Sequence, residues 1–369
     1  MSNKRAFTLV EMLVVVVIIS ILAAIITAAV AGAFRSGKRA RIAIEMNQIV
    51  MALESYKNEF GEYPPDMFDD AELVRHVKKR WPRFVLPTGT GPSGSEIMFQ
   101  ASSIRQAINN VYRNQSVYPT TLLRKWIGLS DAVMPNVNLL PEHTNLQSLA
   151  VWLGGIAAPD GRFAGFGADS EAPFGRRADG TINAGNGGML GGSYTDVVLG
   201  TPDKKTFLEL EVGEKVYFAG ENDGAFPCLV SKVSGDKYVP FIYFRGGADY
   251  RGSRLGNPAE LKSFNFGKYA TSGSARWSHW GELGTVSAYA KSGIPTDAVF
   301  YAANAYQLIH PGLDGKFGKL IQPVGGKLVS DDYLRSPEPD NTTPNVFGQE
   351  DFDNITNFSD YGTIKSVMK

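Results

Sequence analysis

The apolar positions of this chain change regime along its length. From Phe7 to Phe34 they form an almost unbroken run, bounded by Lys4-Arg5 on one side and Arg35 on the other, with Glu11 the one charged residue inside. A run of that length crosses a hydrocarbon core of about 30 Å as a single helix. Beyond Arg35 the apolar residues become periodic. Ile42, Met46, Ile49, Leu53, Tyr56 and Phe60 follow at alternating intervals of four and three, with Arg41, Glu45, Glu54, Lys57 and Glu59 between them. That spacing is the stripe of an amphipathic helix, and Gly61 ahead of Pro64-Pro65 is its stop. The pattern predicts one helix of roughly fifty residues, about 80 Å long. Its first half is apolar all round, its second half turns one face to a folded head, and Gly32 and Gly37 near the midpoint are places for it to loosen.

Further along, the pattern is less regular. Arg75-His76-Val77-Lys78-Lys79-Arg80 reads as a solvated basic helix face, and Ser148 to Gly155 as an apolar helix ending at glycines. From Gly154 to Gly200 the chain is rich in glycine, which predicts an irregular, partly flexible insertion with turns. After Pro202 come short runs with β character, Phe207 to Val212, Val216 to Phe218, Cys228 to Val233 and Tyr238 to Phe244, separated by Gly, Asp and Pro. Pro240 marks the last as an edge strand, because proline cannot donate to a ladder. The expected class is α+β. A long amino-terminal helix packs on an antiparallel sheet in a head that carries a large irregular insertion. The division that follows is 7–34 for the apolar helix, 35–61 for the amphipathic spine, 62–300 for the head with its insertion, and 301–369 for a final strand and Asp-rich loops.

Composition adds bounds. With 369 residues, 43% hydrophobic and 20% charged, the part beyond the apolar run can bury a substantial core. The 37 basic and 37 acidic residues cancel, so net charge points to no nucleic-acid partner, anionic surface or acidic substrate. Cys228 stands alone, so no intrachain disulfide forms. His76, His143, His279 and His310 lack metal-binding spacing, and there is no nucleophile elbow, Walker loop or dinucleotide fingerprint. The expectation is a protein that is not an enzyme. Trp277, His279 and Trp280 are either core or interface aromatics or a platform for stacking sugars.

Glu11 is the residue that asks for a function, since a charge at the centre of a membrane helix costs about 2.5–3.5 kcal/mol. The basic Lys4-Arg5, the small Ala6, and Phe7 followed four positions later by Glu11 resemble the amino-terminal signature of type IV pilins and pseudopilins. The resemblance implies a leader, residues 1–6, cut by a prepilin peptidase between Ala6 and Phe7, with methylation of the new amine. Alanine stands before the cut where the family usually has glycine. It also implies that Glu11 sets filament register by pairing with the Phe7 amine of a neighbouring subunit, as opposite charges within about 4–6 Å favour ionisation. Other readings of the same run are a secretory signal cut near Ala29-Val30-Ala31 or Ala31-Gly32-Ala33, a plain single-span anchor, and a Glu11 that snorkels near Arg5. Arg35, Lys38, Arg39 and Arg41 outnumber Lys4 and Arg5, so charge counting favours the reverse orientation. The placement of the head outside the cytoplasm comes from the resemblance.

Two further segments are similar to the major pseudopilin of type II secretion systems. Ala52 to Pro64 looks like its tyrosine-bearing helix turning through a glycine into Tyr-Pro, with Tyr63 able to fold back on the helix. Ala305 to Gly318, followed by Asp351 to Phe358, resembles its final strand and acidic loops, with about thirty extra residues between. Those loops bind calcium in that family, which implies Asp314 with Asp351 or Asp353 as ligands; Asp-Gly as a simple turn is the other reading. The resemblance implies a single-pass inner-membrane protein with a periplasmic head. Its partners would be copies of itself, the prepilin peptidase, minor pseudopilins and an assembly platform with its ATPase. A type IV pilin or DNA-uptake pseudopilin, and a membrane-tethered binding or hydrolytic protein, are the alternatives.

Overall fold

The computed structural model describes residues 9–90, 94–112, 144–185, 197–198, 200–221, 224–234, 237–247, 250–252, 260–266, 280, 282–292, 299–317 and 354–359. Helix α1 runs unbroken from Leu9 to Phe60, 52 residues. It stops where Gly61 takes a φ of +74° and sends its N–H to the Lys57 carbonyl at 2.7 Å, a left-handed cap that a side chain would strain. Gly32 and Gly37 do not interrupt it. A Cβ at either would meet nothing within 4 Å, and the roughly 1 kcal/mol cost of one glycine is absorbed by a helix this long.

Among the described residues three more helices follow: α2 (Asp70–Arg80), α3 (Glu96–Tyr112) and α4 (Thr144–Gly154). Asp69 starts α2 by accepting the Glu72 N–H at 2.7 Å. Helices α2 and α3 pack together, whereas α4 lies against both α1 and the sheets. Residues 145–154 of α4 are all buried. A helix enclosed on every side has no polar face to show, which is why its sequence reads as apolar rather than amphipathic.

The strands are β1 (Arg176–Arg177), β2 (Val197–Val198), β3 (Val216–Glu221), β4 (Gly224–Ser234), β5 (Lys237–Pro240), β6 (Ile242–Arg245), β7 (Arg251–Gly252), β8 (Glu260–Leu261), β9 (Ser263–Asn265), β10 (Thr285–Ser287), β11 (Ala290–Ser292), β12 (Val299–Phe300), β13 (Tyr306–His310) and β14 (Ile355–Thr356). All pairings among them are antiparallel. Two three-stranded sheets, ordered β3-β4-β5 and β14-β13-β6, carry the head. The class is α+β, a long apolar helix joined to antiparallel sheets, with a large insertion.

Three expectations are corrected. The run Tyr238 to Phe244 is not one strand but belongs to two, each at the edge of its own sheet: Pro240 closes β5 opposite Val230, and Phe241 turns the chain so that β6 opens against Ile309 in the other sheet. Phe207 to Val212 is not a strand; these residues hang on α4, with the Phe207 N–H on the Leu153 carbonyl at 2.7 Å. Residues 154–185 are irregular but are part of the core, with Phe163, Phe166 and Phe174 buried there. Gly155, at φ +83°, makes that packing possible. A Cβ on it would lie 2.2 Å from the Gly165 carbonyl carbon, so only glycine lets these two backbones touch.

The basic run on α2 also divides. Arg75, Lys78 and Lys79 are exposed, while His76 and Val77 are buried. Arg80 lies over aromatic rings, its guanidinium 4.5 Å from the Phe60 centroid and 4.6 Å from those of Trp81 and Phe166. Trp280 is buried and donates its indole N–H to the Tyr238 carbonyl at 2.8 Å, so it is core rather than a sugar platform. Trp277 and His279 lie outside the described residues.

Candidate functional site

Helix α1 presents two different surfaces. From Leu9 through Phe34 its large apolar side chains are exposed: Leu9, Ile18, Ile25 and Phe34 at 82%, 52%, 63% and 69%. Its two hydroxyls in this stretch close on their own helix. Ser20 donates to the Val16 carbonyl and Thr27 to that of Ala23, each at 2.7 Å, which leaves no unmet donor to oppose burial in lipid. Glu11, exposed in the first described turn, is the remaining ionisable group of the run. Ala6 and Phe7 lie outside the described residues.

In the second half the predicted stripe is the buried one. Ile42, Met46, Ile49, Leu53 and Tyr56 are at most 2% exposed. Lys215 Nζ reaches Gln48 Oε1 at 3.1 Å, and Lys205 pairs with Glu59, so the head is pinned along the spine by polar contacts as well.

The chain then folds back at Tyr63. Its hydroxyl donates to Glu54 Oε1 at 2.8 Å, and Lys57 Nζ lies 4.5 Å over its ring. The other side of that ring packs edge-on against Tyr306 of β13, with centroids 4.8 Å apart. One tyrosine thus joins the end of the helix to the central strand of the β14-β13-β6 sheet.

Just past it lies a buried charge cluster that no sequence motif announced. Asp66 Oδ1 accepts the Phe68 N–H at 2.9 Å, while Oδ2 accepts the Arg245 N–H at 2.7 Å and Lys262 Nζ at 2.8 Å. Asp66 and Lys262 are 0% and 2% exposed. Lys262 Nζ also donates to the Arg245 carbonyl at 2.7 Å. The Arg245 guanidinium bridges Glu72 at 2.8 Å and Glu62 at 3.1 Å. Glu62 continues to His76 Nδ1 at 3.0 Å, whose Nε2 meets the Tyr56 hydroxyl at 2.7 Å; Arg80 donates to that hydroxyl at 2.9 Å. Neutral His76 with its proton on Nδ1 satisfies every one of these bonds. A second buried pair, Arg105 with Asp70 at 2.7 Å, ties α3 to the same loop.

The electrostatics follow from this geometry. The hydrogen bond from His76, with help from Arg245, holds the Glu62 carboxyl well below the usual carboxylate range. Burial disfavours the Lys262 ammonium, but Asp66 and Glu72 outweigh it and keep its pKa raised. Three carboxylates face two cations here. Burial pushes Glu72, the odd one out, up to about 7. With the central pair closed to solvent, no substrate reaches it; the arrangement is a clasp that fastens the segment after α1 to β6 and to the strand-linking residue Lys262.

The carboxyl-terminal acidic site is described in part. Asp314 is exposed, and its Oδ1 accepts the Lys316 N–H at 2.8 Å, the closed turn that Asp-Gly makes by itself. Asp351 and Asp353 lie outside the described residues, and among the described residues no three acidic, histidine or cysteine side chains gather as a metal would need. His310 is buried on β13, its Nδ1 accepting the Gly312 N–H at 3.1 Å and its pKa pushed down to about 3 by burial. It shapes this turn.

Residues 1–27 match the family model described as the Prokaryotic N-terminal methylation motif. No curated protein and no solved structure matches the chain. The motif spans the basic leader and most of the apolar run. It supports a place in the pilin superfamily, with processing by a prepilin peptidase and a membrane-anchoring amino-terminal helix.

Proposed function

We propose that this chain is a pilin-like structural subunit of the major pseudopilin type, anchored in the inner membrane with its head in the periplasm and polymerised through α1 into a filament for type II protein secretion. The methylation motif over residues 1–27, continuous with an apolar helix that leaves its own head untouched, carries the reading. An apolar stretch of helix left exposed by the described residues is suited to cover by lipid first and then by neighbouring subunits. The choice of secretion within the superfamily is supported by Tyr63 folding back on α1 and reaching β13.

The test is the mass of the mature amino-terminal peptide. A peptide starting at methylated Phe7 is expected. One starting after Ala31 or Ala33 would return the chain to an ordinary secretory signal, and an intact Met1 to a plain anchor.

A further inference from the structure

The net charge of zero hides a local concentration of cations. Between Glu11 and Glu45 the chain has no acidic residue, yet it carries Arg35, Lys38, Arg39 and Arg41. Arg41 pairs with Glu45 at 2.8 Å. The other three share a face: Arg35 stands seven residues before Ile42, Lys38 four, and Arg39 three before Ile42 and seven before Met46. Ile42 and Met46 are the first buried residues of the head-facing stripe, at 1% and 0% exposure, whereas Ile44 and Met51 on the far side of the helix are 61% and 63% exposed. The three cations therefore continue the head-facing stripe toward the membrane. They sit between the end of the apolar run and the underside of the head, with their side chains exposed.

We propose that Arg35, Lys38 and Arg39 bind the phosphates of anionic phospholipid headgroups in the leaflet nearest the head, a step that rests on α1 entering a membrane. Leu9 to Phe34 is about 39 Å of helix at 1.5 Å per residue, more than a hydrocarbon core of about 30 Å, so with a modest tilt Arg35 and the next turn arrive at headgroup level. Their apolar stems lie along the acyl boundary while the charged ends reach phosphate. The attraction is local: with no net charge on the chain, it acts within a Debye length of about 8 Å at physiological salt. It also orients the molecule, because all three contacts lie on the side the head overhangs.

The experiment uses the full chain, reconstituted into vesicles of equimolar phosphatidylglycerol and phosphatidylcholine, then extracted gently and weighed by native mass spectrometry with its retained lipids. Phosphatidylglycerol is expected to be retained about tenfold over phosphatidylcholine. In the triple variant Arg35→Gln, Lys38→Gln, Arg39→Gln the ratio should fall to near one, with flotation and helix content unchanged. Equal retention by the unmodified chain, or a preference that survives in the triple variant, overturns the assignment. So does a triple variant that keeps the lipid preference and loses self-association, which would place a neighbouring copy's carboxylates opposite these cations. A chain that floats with neither lipid overturns the membrane reading itself.

Discussion

Replacing Glu11 by alanine is expected to leave α1 in the membrane and to abolish filament assembly. In the bilayer the carboxylate opposes insertion, by less than the roughly 2.5–3.5 kcal/mol of a charge at the helix centre because Glu11 lies near the start of the apolar run, so its removal helps. Its position in the first described turn of α1 offsets part of that cost through the helix dipole, but only by about 0.3–1 kcal/mol. A neighbour's amine at Phe7, the charge that prepilin processing would create, is an opposite charge that would favour the ionised carboxylate in the filament. In the assembled filament, loss of one member of a buried pair strands the other at a cost of about 3–5 kcal/mol. That is roughly two to four orders of magnitude in each subunit contact. Membrane fractionation together with electron microscopy of sheared filaments reads both arms. Filaments of normal number and length from Glu11→Ala would sink the register hypothesis.

Asp66→Ala is expected to be the most damaging single change in the head. It removes the acceptor for Lys262 Nζ and for the Arg245 and Phe68 amides at once. An ammonium 2% exposed is left with Glu72 at 3.7 Å as its nearest remaining carboxylate. The expected loss is about 3–5 kcal/mol of unfolding free energy, measured by urea titration in detergent. Adding Lys262→Met should recover part of it, because an apolar pair of similar volume is tolerated where a lone charge is not. A loss under about 1 kcal/mol for Asp66→Ala, or no recovery in the double variant, would mean that the clasp does not hold the loop.

The same cluster sets a pH dependence whose sign changes. Glu62 is held below its usual range, so its contribution is present above the unfolded-state value and is lost as pH falls through it. Glu72 moves the other way, from 4.5 to about 7. Its contribution is fully present below the unfolded value and is lost as pH rises toward 7. Stability of the head should therefore peak on the acid side of neutrality. Glu72→Gln should flatten the decline between about pH 5 and 7 while leaving the acid limb in place; a decline unaltered by this variant would assign it to another group.

How much of this was legible depends on distance along the chain. The length of α1, its stop at Gly61 and the fold-back of Tyr63 on Glu54 are interactions between residues a few positions apart, and period and composition report such neighbours directly. Residues 306–310 are expected as a strand from the resemblance of Ala305 to Gly318 to a pseudopilin strand, and β13 lies there. Asp66 and Lys262 are 196 positions apart, and no spacing rule joins them. One signal was present: Lys262, Phe264 and Phe266 alternate and are all buried, so Lys262 occupies an inward strand position where a lysine needs a counter-charge. The splitting of Tyr238 to Phe244 between two sheets also escaped a local reading, because Pro240 announces the end of a ladder and not where the next begins.

The sequence by itself determined an apolar helix with one charge in it, an amphipathic continuation, and a methylation motif over residues 1–27, since each is a property of contiguous residues in a fixed solvent. Only the tertiary structure decided which charges are sheltered and which remain available. It turned His76 and Val77 of a seemingly solvated run into the core, gathered Lys262, Arg245, Glu62 and Glu72 with Asp66 into one cluster, and left Arg35, Lys38 and Arg39 exposed beneath the head. Burial changes what a charge costs by more than its place in the sequence does, and burial is set by residues brought together from far along the chain.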